Sequence, residues 1–302
     1  MLSICIPVYN YNVLRLVSAL LTQAQALPVQ FEILVWEDGS EEGQKVENRK
    51  LVELDPKVQY VEWEKNRGRS IIRNRLAEAA KFPYLLFMDC DADLPDDHFL
   101  HRYAELLKEP IQKQVICGGR IYPKRPREAS LQLHWLYGSL KESQPVERRR
   151  LAPNSSFMTN NFLITRSIFE GIQFNEDMQG YGHEDTLFGW ELQKKELQIE
   201  HIDNPVIHAG LETSSEFLTK TEQGVGNLHR LYKLIGEHNS WINEIKLLRV
   251  FNRLKSWRAT GITYWMLHFF QKPIERQLHS SKPSLLAFDL YKLYRFLDQD
   301  RR

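Results

Sequence analysis

Through the first 120 residues, short apolar runs alternate with segments of helical spacing, and several of the runs end on acidic residues. LSICIPV opens the series at residues 2–8, and Val13 to Ala24 follows with Val13, Leu16, Val17, Leu20 and Leu21 on one helical face. FEILVWED, VQYVEW, YLLFMD and VICGGRIYP read as four further strands. Asn66–Gly68 makes a turn, and a helix is expected from about Ser70 to Lys81. This alternation predicts βα units around a mostly parallel sheet flanked by helices, an α/β fold of the Rossmann-like kind. In open α/β sheets ligands bind beyond the carboxyl ends of the strands, so topology alone gathers Asp38, Asp89 and Asp91 near one crevice.

With 302 residues there is room for one large domain, or for one domain and an appendage. The character changes near residues 210–215, beyond which helices carry apolar and basic residues, as in WINEIKLLRVFNRLKSW. We therefore divide the chain into an α/β domain at 1–212 and a helical region at 213–302. Within the first lies 124–154, rich in Arg, Glu and Pro, which reads as a mobile connection with Arg148–Arg150 on a solvated loop. Forty Lys and Arg balance thirty-nine Asp and Glu, so no global field attracts nucleic acid and recognition must be local. Cys5, Cys90 and Cys117 sit in apolar runs without metal-binding spacing and are expected to be buried thiols. MLSICIPVYN does not resemble a secretory leader, and no apolar stretch is long enough to span a bilayer, so a cytoplasmic setting is expected. In the helical region, Ile242, Ile245, Leu248, Phe251 and Leu254 form a stripe whose default role is packing on the α/β domain. That stripe and ITYWMLHFF at 262–270 leave open a homodimer contact or a peripheral contact with the inner face of a membrane.

Three segments could carry chemistry. In FMDCDADLPDD, aspartates follow a strand at two-residue spacing, which suits a hard divalent cation shared with a diphosphate; the same residues could also serve as turn and cap groups. GYGHEDTLFGWEL places two glycines before adjacent acids and a helical pattern, so a carboxylate there could take a proton from an attacking hydroxyl or could simply cap the helix. NPVIHAG sets His208 after an apolar strand, where an imidazole could complete a metal site.

Taken in this order, with ICIPVYN at the start, the segments resemble the inverting family 2 glycosyltransferases of GT-A fold over roughly residues 1–210. The resemblance divides the catalytic domain into a donor half at about 1–120 and an acceptor half at about 121–212. It implies donor-binding roles for Pro7, Tyr9, Asn10, Asp38, Asn66, Gly68, Arg73 and Asp89, with Asp89 on ribose or just behind the metal. Asp91 and His208 become the metal ligands, for manganese or magnesium. Asp185 becomes the general base, with Glu184 orienting it or binding acceptor. Asn160, Asn161 and Trp190 are expected to line the acceptor and sugar pocket. The implied partners are a nucleotide-sugar donor, UDP-linked by resemblance, and a glycan or lipid-linked acceptor in polysaccharide biosynthesis. Glu191 departs from the pattern, since many relatives carry Arg at that position; Lys124, Arg127 or Arg148–Arg150 could replace its phosphate contact.

Two other readings compete. A sugar nucleotidyltransferase would need a glycine-rich basic loop after its first strand, and YNYNVLR has none. A catalytically inactive nucleotide- or carbohydrate-binding module of the same fold would have lost one of the acids, yet Asp91, Asp185 and His208 are all in place.

Overall fold

A computed structural model describes residues 1–108, 114–237 and 239–302 of the chain. Its strands are β1 (Leu2–Val8), β2 (Phe31–Glu37), β3 (Val58–Glu62), β4 (Tyr84–Met88), β5 (Ala92–Asp93), β6 (Gln114–Cys117), β7 (Arg120–Ile121), β8 (Asn161–Thr165), β9 (Gln198–His201) and β10 (Val206–His208). The helices that follow the first four strands are α1 (Leu14–Gln25), α2 (Glu42–Asn48), α3 (Arg69–Ala79) and α4 (Phe99–Leu106). After them come α5 (Gln132–Tyr137), α6 (Val146–Arg150), α7 (Arg166–Glu170), α8 (Glu184–Lys194), α9 (Ser214–Ile235), α10 (Lys246–Ser256), α11 (Thr260–Phe269), α12 (Gln271–Leu278) and α13 (Leu285–Arg301). The contacts gather into two units. One holds Met1–Tyr122, Ser143–Gln179 and Glu184–Gly210; the other holds Pro123–Glu142, Gly180–His183 and Leu211–Arg302. The helical unit thus takes in 123–142 and 180–183 as well as the C-terminal segment, a division that a linear cut at residue 212 does not describe.

In the first unit a seven-stranded sheet runs β3-β2-β1-β4-β8-β6-β9, and a smaller sheet runs β5-β10-β7. From β3 to β4 the large sheet is parallel, whereas β8 is antiparallel to both β4 and β6. Apolar side chains alternate between its two faces, as the two-residue period of a strand requires. Leu86 and Met88 join Ile4, Ile6 and Val8 against α1 and α4. Leu85 and Phe87 point the other way, to Ile72 and Leu76 of α3 and Phe188 and Leu192 of α8. Each fully buried Leu or Phe contributes about 1.5–3 kcal/mol, which is why these strands read as continuous apolar runs.

Connections from β1 lead to one side of it through β2 and β3, then return to β4 on its other side. This reversal opens a crevice at the carboxyl ends of β1 and β4. VICGGRIYP, expected as one strand, is two. The chain breaks at Gly118–Gly119 and passes from the large sheet to the small one. Gly119 has φ +86°, and a Cβ on Gly118 would lie 2.4 Å from both the Asn161 amide nitrogen and the Asn204 carbonyl. Only glycine fits both demands.

The second unit is helical. Its core joins Leu133, Phe217, Leu218, Leu278, Phe288 and Tyr291. A capping box starts α9: Thr213 Oγ1 accepts the Glu216 N–H at 3.3 Å, and Glu216 Oε2 accepts the Thr213 N–H at 2.9 Å. The apolar stripe of α10 packs inside this unit, with Phe251 4.8 Å from Phe296 and 5.5 Å from Tyr232, centroid to centroid. No helix among the described residues is long and apolar enough to cross a membrane.

Candidate active site

The turn after β1 is held from below by a carboxylate that the sequence does not single out. Glu37, fully buried at the end of β2, accepts hydrogen bonds from Ser40 and from Asn48 Nδ2, the latter at 2.6 Å. Asn48 also ties down this turn through Tyr11 and Val13, and Ser40 Oγ accepts the Asn10 N–H at 2.8 Å. Asn10 itself sits at φ +50° with its Oδ1 on the Glu41 N–H at 2.7 Å. A short amide side chain suits this left-handed position, so Asn10 shapes the turn. Pro7 is half-buried on β1 opposite Trp36, while Tyr9 is 53% exposed beside it.

Asp38 leaves β2 buried, and its two oxygens accept the N–H groups of Arg67 at 2.7 Å and Gly68 at 2.9 Å. Burial raises the pKa of its carboxyl, against those two bonds. Asp38 therefore fixes the turn that starts α3, where Gly68 stands at φ +99° and Asn66 is exposed. Gly39 lets the two loops close, because a Cβ there would fall 2.2 Å from the Asn66 nitrogen.

The start of α3 carries the largest charge cluster. Arg73, 2% exposed, donates to Asp89 Oδ1 at 2.7 Å and stands 3.8 Å from Glu184 Oε1. Arg69 donates through Nε to the same Glu184 oxygen and lies 3.8 Å from Asp89 Oδ2. Two guanidiniums and two carboxylates thus form a neutral quartet joining α3, the end of β4 and the start of α8. Burial alone would raise the Glu184 carboxyl, but Arg69 and then Arg73 outweigh it and hold it below its usual range. Its neighbour Asp185 behaves oppositely: burial, then the charge of Glu184, push it up to about 6, against hydrogen bonds from the Thr186 N–H and hydroxyl. In the loop before it Gly180, Gly182 and His183 are all at positive φ, which the two glycines adopt freely and His183 does not.

Asp91 goes to a different neighbour. Pairing of Ala92 with His208 across the small sheet brings Asp91 Oδ2 to 3.4 Å from His208 Nδ1. Burial would raise Asp91, but the hydrogen bond and charge of His208, followed by Arg120 and Arg69, bring it down to about 2. Its carbonyl accepts the Ala209 N–H at 2.8 Å, and Gly210 packs so close that a Cβ would meet Asp91 Oδ2 at 2.7 Å. A carboxylate oxygen and an imidazole nitrogen at this separation fit one divalent cation of the manganese type. Among the described residues no group of three His, Cys, Asp or Glu gathers into a complete cage. Remaining coordination positions would belong to water or ligand.

Residues 3–173, more than half of the chain, match the sequence model of glycosyl transferase family 2. The chain belongs to this family. Within it, a protein of Bacillus subtilis (strain 168) named uncharacterized glycosyltransferase YfnE is 27% identical over 199 residues. That match covers 59% of this chain and 48% of the relative, so the chain spans about half the length of the curated relative it matches. Among solved structures, the mannosyltransferase PcManGT from Pyrobaculum calidifontis, in complex with GDP-Man and Mn2+, aligns with a TM-score of 0.52 at 17% identity. The alignment covers 77% of this chain and 64% of that one, and the likeness is one of GT-A fold.

Other expected site residues of this family 2 chain separate. Asn161 is fully buried, and its amide is consumed internally: Oδ1 accepts from Tyr103 at 2.7 Å, while Nδ2 donates to Gly119 and Asn204 carbonyls. It builds the wall, with its amide spent on these internal bonds. Asn160 accepts the Asp89 N–H on its carbonyl at 3.1 Å, and among the described residues its buried Oδ1 has no hydrogen-bond partner. One face of Trp190 is taken by the Lys194 ammonium at 4.4 Å, and Glu191 lies 3.4 Å from the same lysine.

In the basic stretch 148–150, Arg148 and Arg150 are exposed as expected, and the correction falls on Arg149. Arg149 is buried and donates to the carbonyls of Cys117, Gly118, Ile202 and Gln144, with His201 Nδ1 2.8 Å away; Arg150 donates to the His201 carbonyl. Burial, with the arginines adding to it, lowers His201 to about 4, so the imidazole is neutral beside the cation. The arginines pin α6 to β9, since carbonyls in a sharp turn need donors that no strand supplies. Lys124 and Arg127 are exposed and belong to the helical unit. Arg69, which the sequence reading passed over, is the cation beside Glu184; its signal was its place directly after the turn glycine.

Proposed function

We propose that the chain is an inverting glycosyltransferase that moves a sugar from a nucleotide-diphosphate donor to a hydroxyl of a glycan or lipid-linked acceptor. The observation that carries this reading is the split of the acids: Asp91 against His208, Asp89 and Glu184 within the arginine quartet, and Asp185 alone raised to about 6. An ordinary aspartate is a weak base at neutral pH, whereas one near 6 is better matched to accept a proton.

Asp185 takes the proton from the acceptor hydroxyl as that oxygen bonds to the anomeric carbon. The bond from the same carbon to the diphosphate oxygen breaks on the opposite face, and the electron pair leaves with the diphosphate. A single displacement of this kind inverts the anomeric centre. Glu184, held by Arg69 and Arg73, keeps Asp185 basic by its fixed negative charge. A divalent ion bound by Asp91 and His208 would supply Lewis-acid neutralisation of the leaving diphosphate. The turn of Pro7, Tyr9 and Asn10, the Asn66–Gly68 turn held by Asp38, and Asn160 are proposed to meet the donor.

Thermal melting with UDP, GDP and CDP, each with and without manganese, tests the reading. A ligand at 100 times its dissociation constant stabilises the folded state by about 2.7 kcal/mol. The expected outcome is a manganese-dependent rise with UDP; GDP, the nucleotide carried by the mannosyltransferase neighbour, is the rival. Silence from all three nucleotides overturns the proposal. A second reading, a binding module without turnover, is favoured by Glu191, which puts a carboxylate where relatives carry Arg. Nucleotide binding without hydrolysis or transfer of the donor would select it.

A further inference from the structure

Between Glu244 and Glu275 the chain has no acidic residue, although it carries Lys246, Arg249, Arg253, Lys255, Arg258 and Lys272. In the same stretch the helical unit leaves large apolar side chains in solvent. Trp257, Ile262, Trp265, Met266, Phe269 and Phe270 are each between 49% and 78% exposed. Ile262, Trp265, Met266 and Phe269 recur at helical spacing and share one face of α11, while Leu267 turns inward and is buried. The Trp265 ring is held in place: Tyr264 meets it edge-on at 5.5 Å and the Arg301 guanidinium stands 5.7 Å away. Isolated exposed apolar residues are ordinary, but a contiguous set of this size marks an interaction surface.

Charge decides the partner. Lys246 and Lys255 are neutralised by Asp289 and Glu237, whereas Arg249, Arg253, Arg258 and Lys272 make no ion pair among the described residues. A symmetric dimer through this face would set the patch against itself, placing cations opposite cations with no acid in the stretch to answer them. Tryptophan and phenylalanine flanked by unpaired cations instead match the layered chemistry of a bilayer surface, apolar chains below and anionic headgroups above.

We infer that α11, with the end of α10 before it and the start of α12 after it, is a membrane-docking surface that inserts Trp265 and Phe269 among acyl chains and holds anionic headgroups with Arg253, Arg258 and Lys272. This goes beyond the sugar-transfer reading and does not depend on it.

The test is co-sedimentation of the 302-residue chain with phosphatidylcholine vesicles, with and without phosphatidylglycerol, in the absence of nucleotide. The expected result is binding to the anionic vesicles, at least about 10-fold weaker to pure phosphatidylcholine and weakened by salt. Trp265→Ser with Phe269→Ser should lower binding about 10-fold. Arg258→Glu with Lys272→Glu should remove only the dependence on phosphatidylglycerol. All four side chains are exposed, and unchanged melting temperatures would verify that the variants fold. Failure to sediment with either vesicle, or wild-type binding by the Trp265/Phe269 variant, overturns the inference. So does a concentration-dependent dimer, abolished by that variant, in a chain that ignores vesicles. Vesicle binding without any nucleotide response would sink the sugar-transfer reading and leave this one standing.

Discussion

Asp89 and Asp91 are two residues apart, yet they belong to regions built on different principles. Asp89 enters a cluster in which each carboxylate faces guanidiniums, so formal charge cancels and the geometry of α3, β4 and α8 is locked. Asp91 faces an imidazole across a two-residue strand pairing, with the charges of Arg120 and Arg69 also acting on it. On the proposed reading, the region where carboxylates pair with guanidiniums positions, and the region where a carboxylate meets an imidazole binds. Asp185 lies at the border, raised by burial and then by the negative charge of Glu184 fixed next to it.

The largest effect that would sharpen this contrast is on turnover. Asp185→Asn should lower kcat about 100- to 10,000-fold with donor binding retained, because a general base contributes about that much. Wild-type kcat in this variant would break the assignment of the base. Next in size is the positioning cluster itself. Arg73→Met leaves Asp89 and Glu184 with less positive charge in a buried site, and one broken buried pair typically costs about 3–5 kcal/mol. Denaturant unfolding should show a loss of that order, and a loss below about 1 kcal/mol would mean that the quartet is not a structural unit.

On the binding side, His208→Ala should lower stability even in metal-free buffer, because Asp91 loses the partner that holds its carboxyl down, and should weaken the manganese requirement curve. Even outer partners of a ligand are worth about 10- to 100-fold in affinity, so a shift of at least that order is expected. An unshifted manganese titration would remove His208 from the metal site.

The smallest effect concerns pH. Asp185 must be ionised to accept a proton, so activity should fall as pH drops through about 6. Glu184→Gln removes the charge that helps raise Asp185, and the acid limb of kcat should move to lower pH; a limb that stays in place argues that burial alone sets it. The sign for stability is opposite. Folding raises the Asp185 value above that of an ordinary carboxylate, so its contribution is present at low pH and lost as pH rises through about 6. Asp185→Asn should therefore melt at a slightly higher temperature than wild type at neutral pH.

Much of the fold was legible because strands buried on both faces must be apolar throughout, and helices covering them must be apolar on one side. The β8 strand was not legible as antiparallel, since NNFLIT has the composition of any buried strand and its direction depends on which neighbours it meets. Arg148–Arg150 looked solvated because charge is normally exposed; only folding reveals four carbonyls converging on Arg149. Asn160 and Asn161 are adjacent and identical in type, and strand alternation sends one amide into a closed network while leaving the other's oxygen without a partner among the described residues.

By itself the amino-acid sequence determined the βα rhythm, the placement of acids at strand ends and the change of character beyond residue 210, because periodicity and turn chemistry are local. Tertiary structure alone decided which aspartate meets an arginine and which meets a histidine. It also decided that one apolar stripe in the helical unit is core while the next, on α11, stays in water. Those outcomes depend on pairings between segments far apart in the chain, and ionisation follows distance in space.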